Sequence, residues 1–426
     1  MTSEWALKLT KAQLKELPAS LWSFFYFFAL LASYYVLRPI RDEMAIQIGI
    51  KNLPSLFTWV FVTMLALVPL FGWLTAKIPR RTLLPWLYAF FVLNLIFFYM
   101  VMQAGEQPKE VAYVFYVWVS VFNLFAVSIF WSFMADCFNT EQAQRLYGFI
   151  AAGGTTGALV GPMITSSLVK ELGAKNLMLV AALFLALSIV AIFRLKAWLA
   201  KYPVEPIVAG KLEATDDGTL KGGLLSGVID IAKSPYLMGI CLFLFAYAVL
   251  STFLYSQQTI LVPAAITNAE ERIRFLSLVD LGVNILTLII QVAAFGALIK
   301  RLGVLPLLVA MPLVSVIGFI ALAVQPGLIV LVVFGVLRRA GEYAVSKPAR
   351  ETLFNVLPAD QKYKAKNVID TLVHRTGDTA SIWLFDALKK AGLSITTLTW
   401  LAVPVATLWL IVALMLGRAA KKMQQR

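Results

Sequence analysis

The sequence predicts an all-α membrane protein with twelve transmembrane helices in two six-helix halves. Hydrophobic residues make up 60% of the 426 residues, charged residues only 14%, and the mean hydropathy is +0.81. This composition excludes an ordinary soluble domain. About twelve apolar runs are long enough to cross a bilayer. They cover residues 19–37, 54–76, 82–103, 111–135, 146–168, 176–199, 236–262, 273–299, 303–323, 327–348, 366–388 and 394–417.

Three short segments recur at an offset of about 220 residues, which indicates a tandem duplication. Parallel repeats of this kind place a substrate path between the two halves, near the bilayer midplane. A polar stretch rich in Pro and Gly separates the halves and is typical of a linker. The matched pairs are Pro18 with Pro235, 72–80 with 296–303, and 141–145 with 360–364. The predicted divisions are an amphipathic helix 1–17, a first half 18–200, a linker 201–233, a second half 234–418 and a tail 419–426.

The basic residues predict the orientation in the membrane. When basic residues near span ends are counted with the adjoining loop, 24 of the 37 Lys and Arg residues fall on the side of the N-terminus, 10 on the other side and three deep within spans. The side with more Lys and Arg is the cytoplasmic one, so both termini are expected on the cytoplasmic side of the membrane. The net charge of +14 has the same origin, and we expect no nucleic-acid partner. Cys137 and Cys241 are expected to be free and reduced.

Charge is densest in the stretch from Phe334 to Asp378, inside a hydrophobic chain. Arg338 and Arg339 fall about 17 Å below the start of the tenth span, near the bilayer midplane. Unpaired arginines there cost at least several kcal/mol, so a partner charge, water or an anionic ligand is expected beside them. Glu342 is a suitable helical partner for both arginines. The positive charge that remains indicates a negatively charged ligand.

The fifth span contains Gly153, Gly157 and Gly161 at a spacing of four residues. Small residues at this spacing allow two helix backbones to approach closely. We expect this helix to form a contact at the interface of the two halves, which is favoured over a contact with ligand. No Lys-Ser/Thr follows the glycines, which excludes a phosphate-binding loop of the P-loop type.

The first span ends in Tyr34, Arg38 and Arg41 on one helical face, and Asp42 is placed to pair with Arg38. One interpretation is an anion site with an aromatic stacking surface. The other is a solvated, charge-paired helix end. The sequence leaves both open.

Polar side chains form stripes at helical period on the seventh and eighth spans, and such stripes turn away from lipid. On the eighth span, Asp280 is either a proton or cation site or the partner of Arg338, Arg339 or Arg375. On the eleventh span, Asp370 and His374 are spaced to pair. His374 is either a satisfied structural residue, which is favoured, or a proton-coupling group. The stripes consist of Tyr247, Ser251, Tyr255 and Gln258, and of Ser277, Asp280, Asn284 and Gln291.

No cysteine and histidine cluster has metal-ligand spacing, and no nucleophile motif is present. We therefore predict no enzyme, no cofactor and no metal. The expected partners are an anionic small molecule and the lipid bilayer, and the chain is expected to be monomeric.

Two families share motifs with the sequence. The turn at 72–80, GWLTAKIPR, resembles the loop G-x-L-x-D-R-x-G-R-R of the major facilitator superfamily, with Ala76 in place of the aspartate. Leu37-Arg38-Pro-Ile-Arg41-Asp42 resembles the first-span signature of the ATP/ADP carrier family, which lies within that superfamily. Segments 347–351 and 364–370 are similar to its run from the tenth into the eleventh span, and Phe130-Trp131-Ser-Phe133 is similar as well.

The resemblance implies a secondary transporter that exchanges phosphorylated or other anionic metabolites by alternating access. Arg41 stands where the carriers have a first-span lysine, and Lys364 or Lys366 lies near their eleventh-span lysine. Asn123 is the nearest polar residue to their fourth-span glutamate, and Asp280 is a counterpart for their eighth-span glutamate. These departures make a cargo other than ATP and ADP compatible with the motifs.

The predicted site combines these features. Arg338, Arg339, Arg375, Arg41 and Arg38 are expected to attract the anion, and Tyr34, Tyr255 and Gln258 to contact its organic part. Asp280, Glu342 and Asp370 are expected to hold the arginines when no ligand is bound. The alternatives are a proton-coupled permease or exporter that uses Asp280 or His374, and a membrane scaffold without transport.

Overall fold

A computed structural model of the chain describes residues 12–78, 80–104, 109–203, 229, 231–295, 301, 303–358, 365–366 and 368–424. Helices make up nearly all of these residues, and the described part contains no strand. The predicted all-α fold is confirmed. Of the predicted amphipathic helix 1–17, residues 1–11 lie outside the described part, as do 204–228 and 230 of the linker.

Within the described residues, six α-helices precede the linker. Apolar residues dominate each of them, as in the spans predicted from the sequence. The last two form one continuous stretch, Thr140–Lys201, which is broken at Gly173, where φ is +74° and only glycine is unstrained. The helices are α1 Leu17–Ile48, α2 Leu53–Lys77, α3 Arg80–Gln103, α4 Lys109–Cys137, α5 residues 140–172 and α6 residues 174–201.

Six more helices follow the linker, and three of them contain a π turn. Such turns insert one residue into an α-helix and are frequent at functional sites. The helices are α7 Pro235–Ala265, α8 Ala269–Ile290 with the π turn Gln291–Phe295, α9 Val304–Val324, α10 Leu328–Gly341 with the π turn Glu342–Ser346 and the continuation Lys347–Leu353, α11 His374–Lys390 after the π turn Ile369–Val373, and α12 Ile395–Gln424.

By length and composition, the described part has nine stretches apolar enough to cross a membrane. One of them is the broken stretch of α5 and α6. The two helices outside this set are α10 and α11, which carry the charged segment. The helices that depart most from an ordinary membrane span are therefore those for which the sequence predicts a ligand.

The chain forms two compact units. The first comprises residues 1–48, 62–218 and 267–281, and the second comprises 49–61, 219–266 and 282–426. Segments 49–61 and 267–281 thus group differently from the predicted halves 18–200 and 234–418. The predicted division into repeated halves stays a prediction.

In the first unit, α5 packs against α1 at very short range. A Cβ atom added at Gly153 would lie 2.3 Å from the carbonyl oxygen of Phe24, and one at Gly157 would lie 2.3 Å from that of Phe28. At Gly161 it would lie 2.7 Å from Cβ of Tyr35. The glycine stripe therefore lies against a helix of its own unit, and a role at the interface of the halves stays a prediction.

The turn before α1 is tied to the start of α5. The buried carboxylate of Glu16 accepts hydrogen bonds of 3.0 Å from both Nη atoms of Arg145 and one of 2.9 Å from Nε2 of Gln142. Burial alone raises the pKa of Glu16, but these bonds and one from the backbone N–H of Gln13 outweigh it and hold the pKa below its usual value. An ionised Glu16 therefore stabilises this corner of the fold.

The lowered pKa of Glu16 predicts a pH dependence of stability. A lowered folded-state pKa stabilises the fold above the ordinary value of 4.5, and this stabilisation is lost as the pH falls through the lower folded-state value. In thermal unfolding of the purified protein, we expect Glu16→Gln to lower the Tm at pH 7. Its Tm should also fall less steeply than that of the wild type below pH 4.5.

The matched control is Glu141→Gln, which removes a carboxylate that is 78% exposed and 3.6 Å from the same arginine. An exposed pair contributes under about 1 kcal/mol, so this variant should follow the wild-type profile. Equal profiles for Glu16→Gln and the wild type would contradict the assignment.

Candidate functional site

Arg338 on α10 is buried in the second unit against the polar stripe of α7. Its Nη2 donates a hydrogen bond of 3.1 Å to the carbonyl oxygen of Tyr247 and one of 2.6 Å to Oγ of Ser251. Its guanidinium carbon lies 4.9 Å from the centre of the Tyr247 ring. Tyr247 and Ser251 are four residues apart and lie on one face of α7, as the sequence predicts. All the acceptors of Arg338 in the described part are neutral.

Side chains of α11 also lie close to Tyr247. The ring centres of Tyr247 and His374 are 6.0 Å apart. Nδ1 of His374 lies 3.3 Å from Oδ2 of Asp378, and Nη1 of Arg375 lies 3.7 Å from the same oxygen. Thr252 of α7 donates to Oδ1 of Asp378 at 3.5 Å. The ring of Tyr247 is therefore close both to Arg338 and to His374. We call these residues the Tyr247 cluster: Arg338, Tyr247, Ser251, Thr252, His374, Arg375 and Asp378.

Glu342 lies near an arginine that follows it in the chain. Its Oε1 lies 3.8 Å from Nη1 of Arg350, and both side chains are buried. The predicted pairs of Glu342 with Arg338 and Arg339 stay predictions. The π turn that begins at Glu342 explains the contact with Arg350, because one inserted residue makes eight positions equivalent to seven. Seven α-helical residues make two turns, which puts Glu342 and Arg350 on one face.

The charged residues at the end of α1 lie in the first unit and are matched by acids. Nε of Arg38 lies 3.5 Å from Oδ2 of Asp280, and Nη2 of Arg41 lies 2.7 Å from Oδ1 of Asp42. The predicted alternative that Asp280 pairs with Arg338, Arg339 or Arg375 stays a prediction. These contacts favour the charge-paired interpretation of the end of α1.

The other predicted residues are divided between the units. In the first unit, Tyr34 is buried with its ring centre 5.2 Å from that of Tyr35, and Asn123 is half-buried on α4. In the second unit, the ring centres of Tyr255 and Phe57 are 5.8 Å apart, and Arg339 and Gln258 are half-buried.

The predicted lysines and Asp370 add little to the site. Lys366 pairs with Glu351, and its Nζ lies 5.9 Å from the ring centre of Phe354. Lys364 and the side chain of Asp370 lie outside the described part, so the predicted Asp370–His374 pair stays a prediction. Within the described residues, no group of three His, Cys, Asp or Glu side chains could hold a metal ion.

The aromatic ring of Tyr247 is predicted to stabilise the buried charge of Arg338. A cation over a desolvated ring contributes about 2 kcal/mol. We expect Tyr247→Leu to lower the Tm of the purified protein, because the ring is lost. Tyr247→Phe keeps the ring and the backbone acceptor and should unfold like the wild type. Equal losses in both variants would show that the ring face has no role.

A comparison with protein families identifies the fold. The model of the Major Facilitator Superfamily matches residues 19–347, which is more than half of the chain. The chain belongs to the Major Facilitator Superfamily. This membership makes it a multi-pass membrane transporter of the secondary type, not an enzyme. It also confirms the major facilitator resemblance of the turn after α2.

Solved structures of other transporters share this major facilitator fold. A bacterial homologue of the iron transporter ferroportin, in an inward-facing state, has 14% identity and a TM-score of 0.66, covering 95% of this chain and 100% of that one. The POT family transporter PepTSo has 15% identity and a TM-score of 0.60, covering 96% and 98%. A bacterial homologue of the human lysosomal transporter Spinster has 12% identity and a TM-score of 0.56, covering 97% and 96%. No match was found among the curated proteins.

Proposed function

We propose that this major facilitator transporter carries an anionic, nucleotide-like or phosphorylated small molecule by exchange, and that Arg338 binds the anion. The observation that carries the proposal is the environment of Arg338. The residue is 3% exposed, and its hydrogen-bond acceptors in the described part are a carbonyl and a hydroxyl group. Neutral acceptors leave the charge of a buried guanidinium uncompensated.

Two buried donors near Tyr247 add support. Nε of Arg338 and Nε1 of Trp409 have no hydrogen-bond partner among the described residues. The ring centre of Trp409 lies 5.9 Å from that of Tyr247. Buried donors without acceptors are costly, and such groups in native proteins are often satisfied by a ligand or an ion. An anion with several oxygens has acceptors suited to both.

The charge balance favours the second unit over the first. Between Phe334 and Asp378 the sequence has eight Lys or Arg residues and five Asp or Glu residues, so three positive charges remain. Around the end of α1 and the start of α8, Arg38, Arg41 and Arg272 face Asp42, Glu43 and Asp280. These six side chains carry three positive and three negative charges, so they have no net charge. An anion is therefore attracted to Arg338 rather than to Arg38 or Arg41.

Thermal unfolding of the purified protein with single ligands tests the substrate class. The panel contains nucleotides, sugar phosphates, organic acids and neutral amphipathic compounds. A ligand at 100 times its Kd adds about 2.7 kcal/mol of stability, which raises the Tm. We expect a rise with at least one phosphorylated compound. A rise with a neutral compound alone would overturn the proposal.

A proton-coupled permease is the second candidate, and the His374–Asp378 pair favours it. Nδ1 of His374 lies 3.3 Å from Oδ2 of Asp378, and a proton can pass between a histidine and a carboxylate at such a distance. The ring of Tyr247 lies beside His374, and Thr252 and Arg375 contact the same Asp378 carboxylate. In this case, His374→Gln should abolish the response of uptake to a pH gradient. We further propose an inner-membrane location with cytoplasmic termini, supported by the Lys and Arg distribution.

A further inference from the structure

The π turn of α10 lies directly before a proline, Pro348. Proline has no backbone N–H, and its ring clashes with the carbonyl group four residues before it, here that of Ala344. The helix widens at this point. The N–H of Lys347 donates to the carbonyl of Glu342, five residues back, and not to that of Tyr343. The next donor in the π pattern would be residue 348, which has none. Neither of the N–H groups that normally bond this carbonyl in a helix is therefore available to Tyr343.

A side chain of α8 supplies a donor to the Tyr343 carbonyl. Nε2 of Gln291 donates to this oxygen at 3.4 Å, and both residues belong to the second unit. Gln291 is the last member of the polar stripe that the sequence predicts on the eighth span. In an α-helical turn, the N–H of Lys347 would bond the same carbonyl and Gln291 would not be needed. Because bulk water is absent from the bilayer core, the donor from Gln291 stabilises the π turn relative to an α-helical one.

The π turn also decides whether Arg350 reaches Glu342. With the inserted residue, the two side chains lie on one face of the helix. Without it, eight residues would turn through 800°, so Arg350 would lie about 80° around the helix from Glu342. The axial rise between them is about 12 Å, and the side chains use most of their length to span it. The contact of 3.8 Å between Glu342 and Arg350 therefore depends on the π turn.

Glu342 is a competitor for the arginine that we assign to the anion. It lies four residues after Arg338, at the spacing where an acid and an arginine pair on an α-helix. Its Oε2 is buried and has no hydrogen-bond partner among the described residues. A buried carboxylate that loses its cation must find another, because a desolvated charge without compensation is costly. If Arg350 turned away, Glu342 would pair with Arg338 and exclude the anion.

We propose that Gln291 is a positioning residue of the anion site. By stabilising the π turn, it keeps Arg350 against Glu342 and so leaves Arg338 available to the anion. The effect on the anion rests on the function proposed above, whereas the effect on the Glu342–Arg350 contact does not.

A double-mutant cycle tests the positioning without any ligand. The Tm of the full-length protein is measured for Glu342→Gln, Arg350→Gln and the double variant. The cycle is repeated with Gln291→Leu and with Pro348→Ala, which restores the missing N–H and favours an α-helical turn. We expect non-additive Tm losses in the wild-type background and additive losses in the other two. A background with Gln325→Leu, which removes an exposed glutamine after α9, should keep the wild-type coupling. Equal coupling in all four backgrounds would overturn the proposal.

Binding of inorganic pyrophosphate tests the effect on the anion site. The rise in Tm with pyrophosphate concentration gives its Kd. We expect Gln291→Leu to raise this Kd about tenfold, because an acid then competes for the buried guanidinium. Adding Glu342→Gln to the same protein should restore the wild-type Kd, a rescue that a general loss of stability would not show. An unchanged Kd in Gln291→Leu, or a raised one without rescue, would overturn the proposal. If the cycle behaves as expected but pyrophosphate does not bind the wild type, the proposed function fails and Gln291 positions the Glu342–Arg350 pair alone.

Discussion

Replacing Arg338 by alanine is expected to reduce uptake of the anionic substrate by about a hundredfold. A charge-assisted contact between a buried guanidinium and an anion accounts for about 2.7 kcal/mol, which corresponds to this factor. The same change removes a buried charge whose hydrogen-bond acceptors in the described part are neutral. We therefore expect the Tm of the unliganded protein to stay constant or to rise. Uptake into proteoliposomes and thermal unfolding measure the two effects.

Two control variants define the interpretation. Arg338→Lys keeps the charge without the planar fork and should retain part of the uptake. Arg194→Ala removes an exposed arginine of α6 and should change neither quantity. If Arg338→Ala lowers the Tm and leaves the uptake intact, Arg338 has a structural role and the proposed anion site is wrong.

Gly157→Ala is expected to destabilise the fold strongly, although it adds only one methyl group to α5. The new Cβ would lie 2.3 Å from the carbonyl oxygen of Phe28 and 2.9 Å from the backbone nitrogen of Ala32. Backbone atoms of α1 cannot rotate away, so the helices must separate, at a cost of about 3 kcal/mol. The Tm and the monodispersity of the purified protein should both fall.

Gly148→Ala is the matched control on the same helix. A Cβ at Gly148 meets no atom within 4 Å, and alanine is a better helix former than glycine by about 1 kcal/mol. This variant should be as stable as the wild type or more stable. Equal Tm values for the two alanine variants would contradict the close packing of α1 on α5.

Much of the fold was predictable because hydrophobic length is a direct physical signal in a membrane protein. Each span must satisfy its backbone hydrogen bonds internally, so a long apolar run indicates a helix. Part of the contact between α7 and α10 was also predictable from the sequence. Tyr247 and Ser251 were recognised as a polar stripe, and Arg338 as a charge that needs partners, but the sequence does not show which stripe faces which charge.

The ion-pair partners were less predictable, for two physical reasons. The π turn at Glu342 shifts the helical register of the residues that follow it, so Arg350 shares its face. Partners far apart in sequence, such as Glu43 and Arg272, carry no local spacing signal. Asp378 and Thr252 were missed for a related reason: their contact depends on how α7 packs against α11. For such pairs, the signal available in the sequence was an acid and an arginine on different spans to which no partner had been assigned.

The most direct test of the central claim is exchange in proteoliposomes. Vesicles containing the protein are loaded with the phosphorylated compound that raises the Tm most, and uptake of the same labelled compound is measured with and without a pH gradient. We predict that uptake requires the internal compound and ignores the gradient. Uptake into empty vesicles that depends on an acidic exterior would contradict exchange and establish proton coupling through the His374–Asp378 pair.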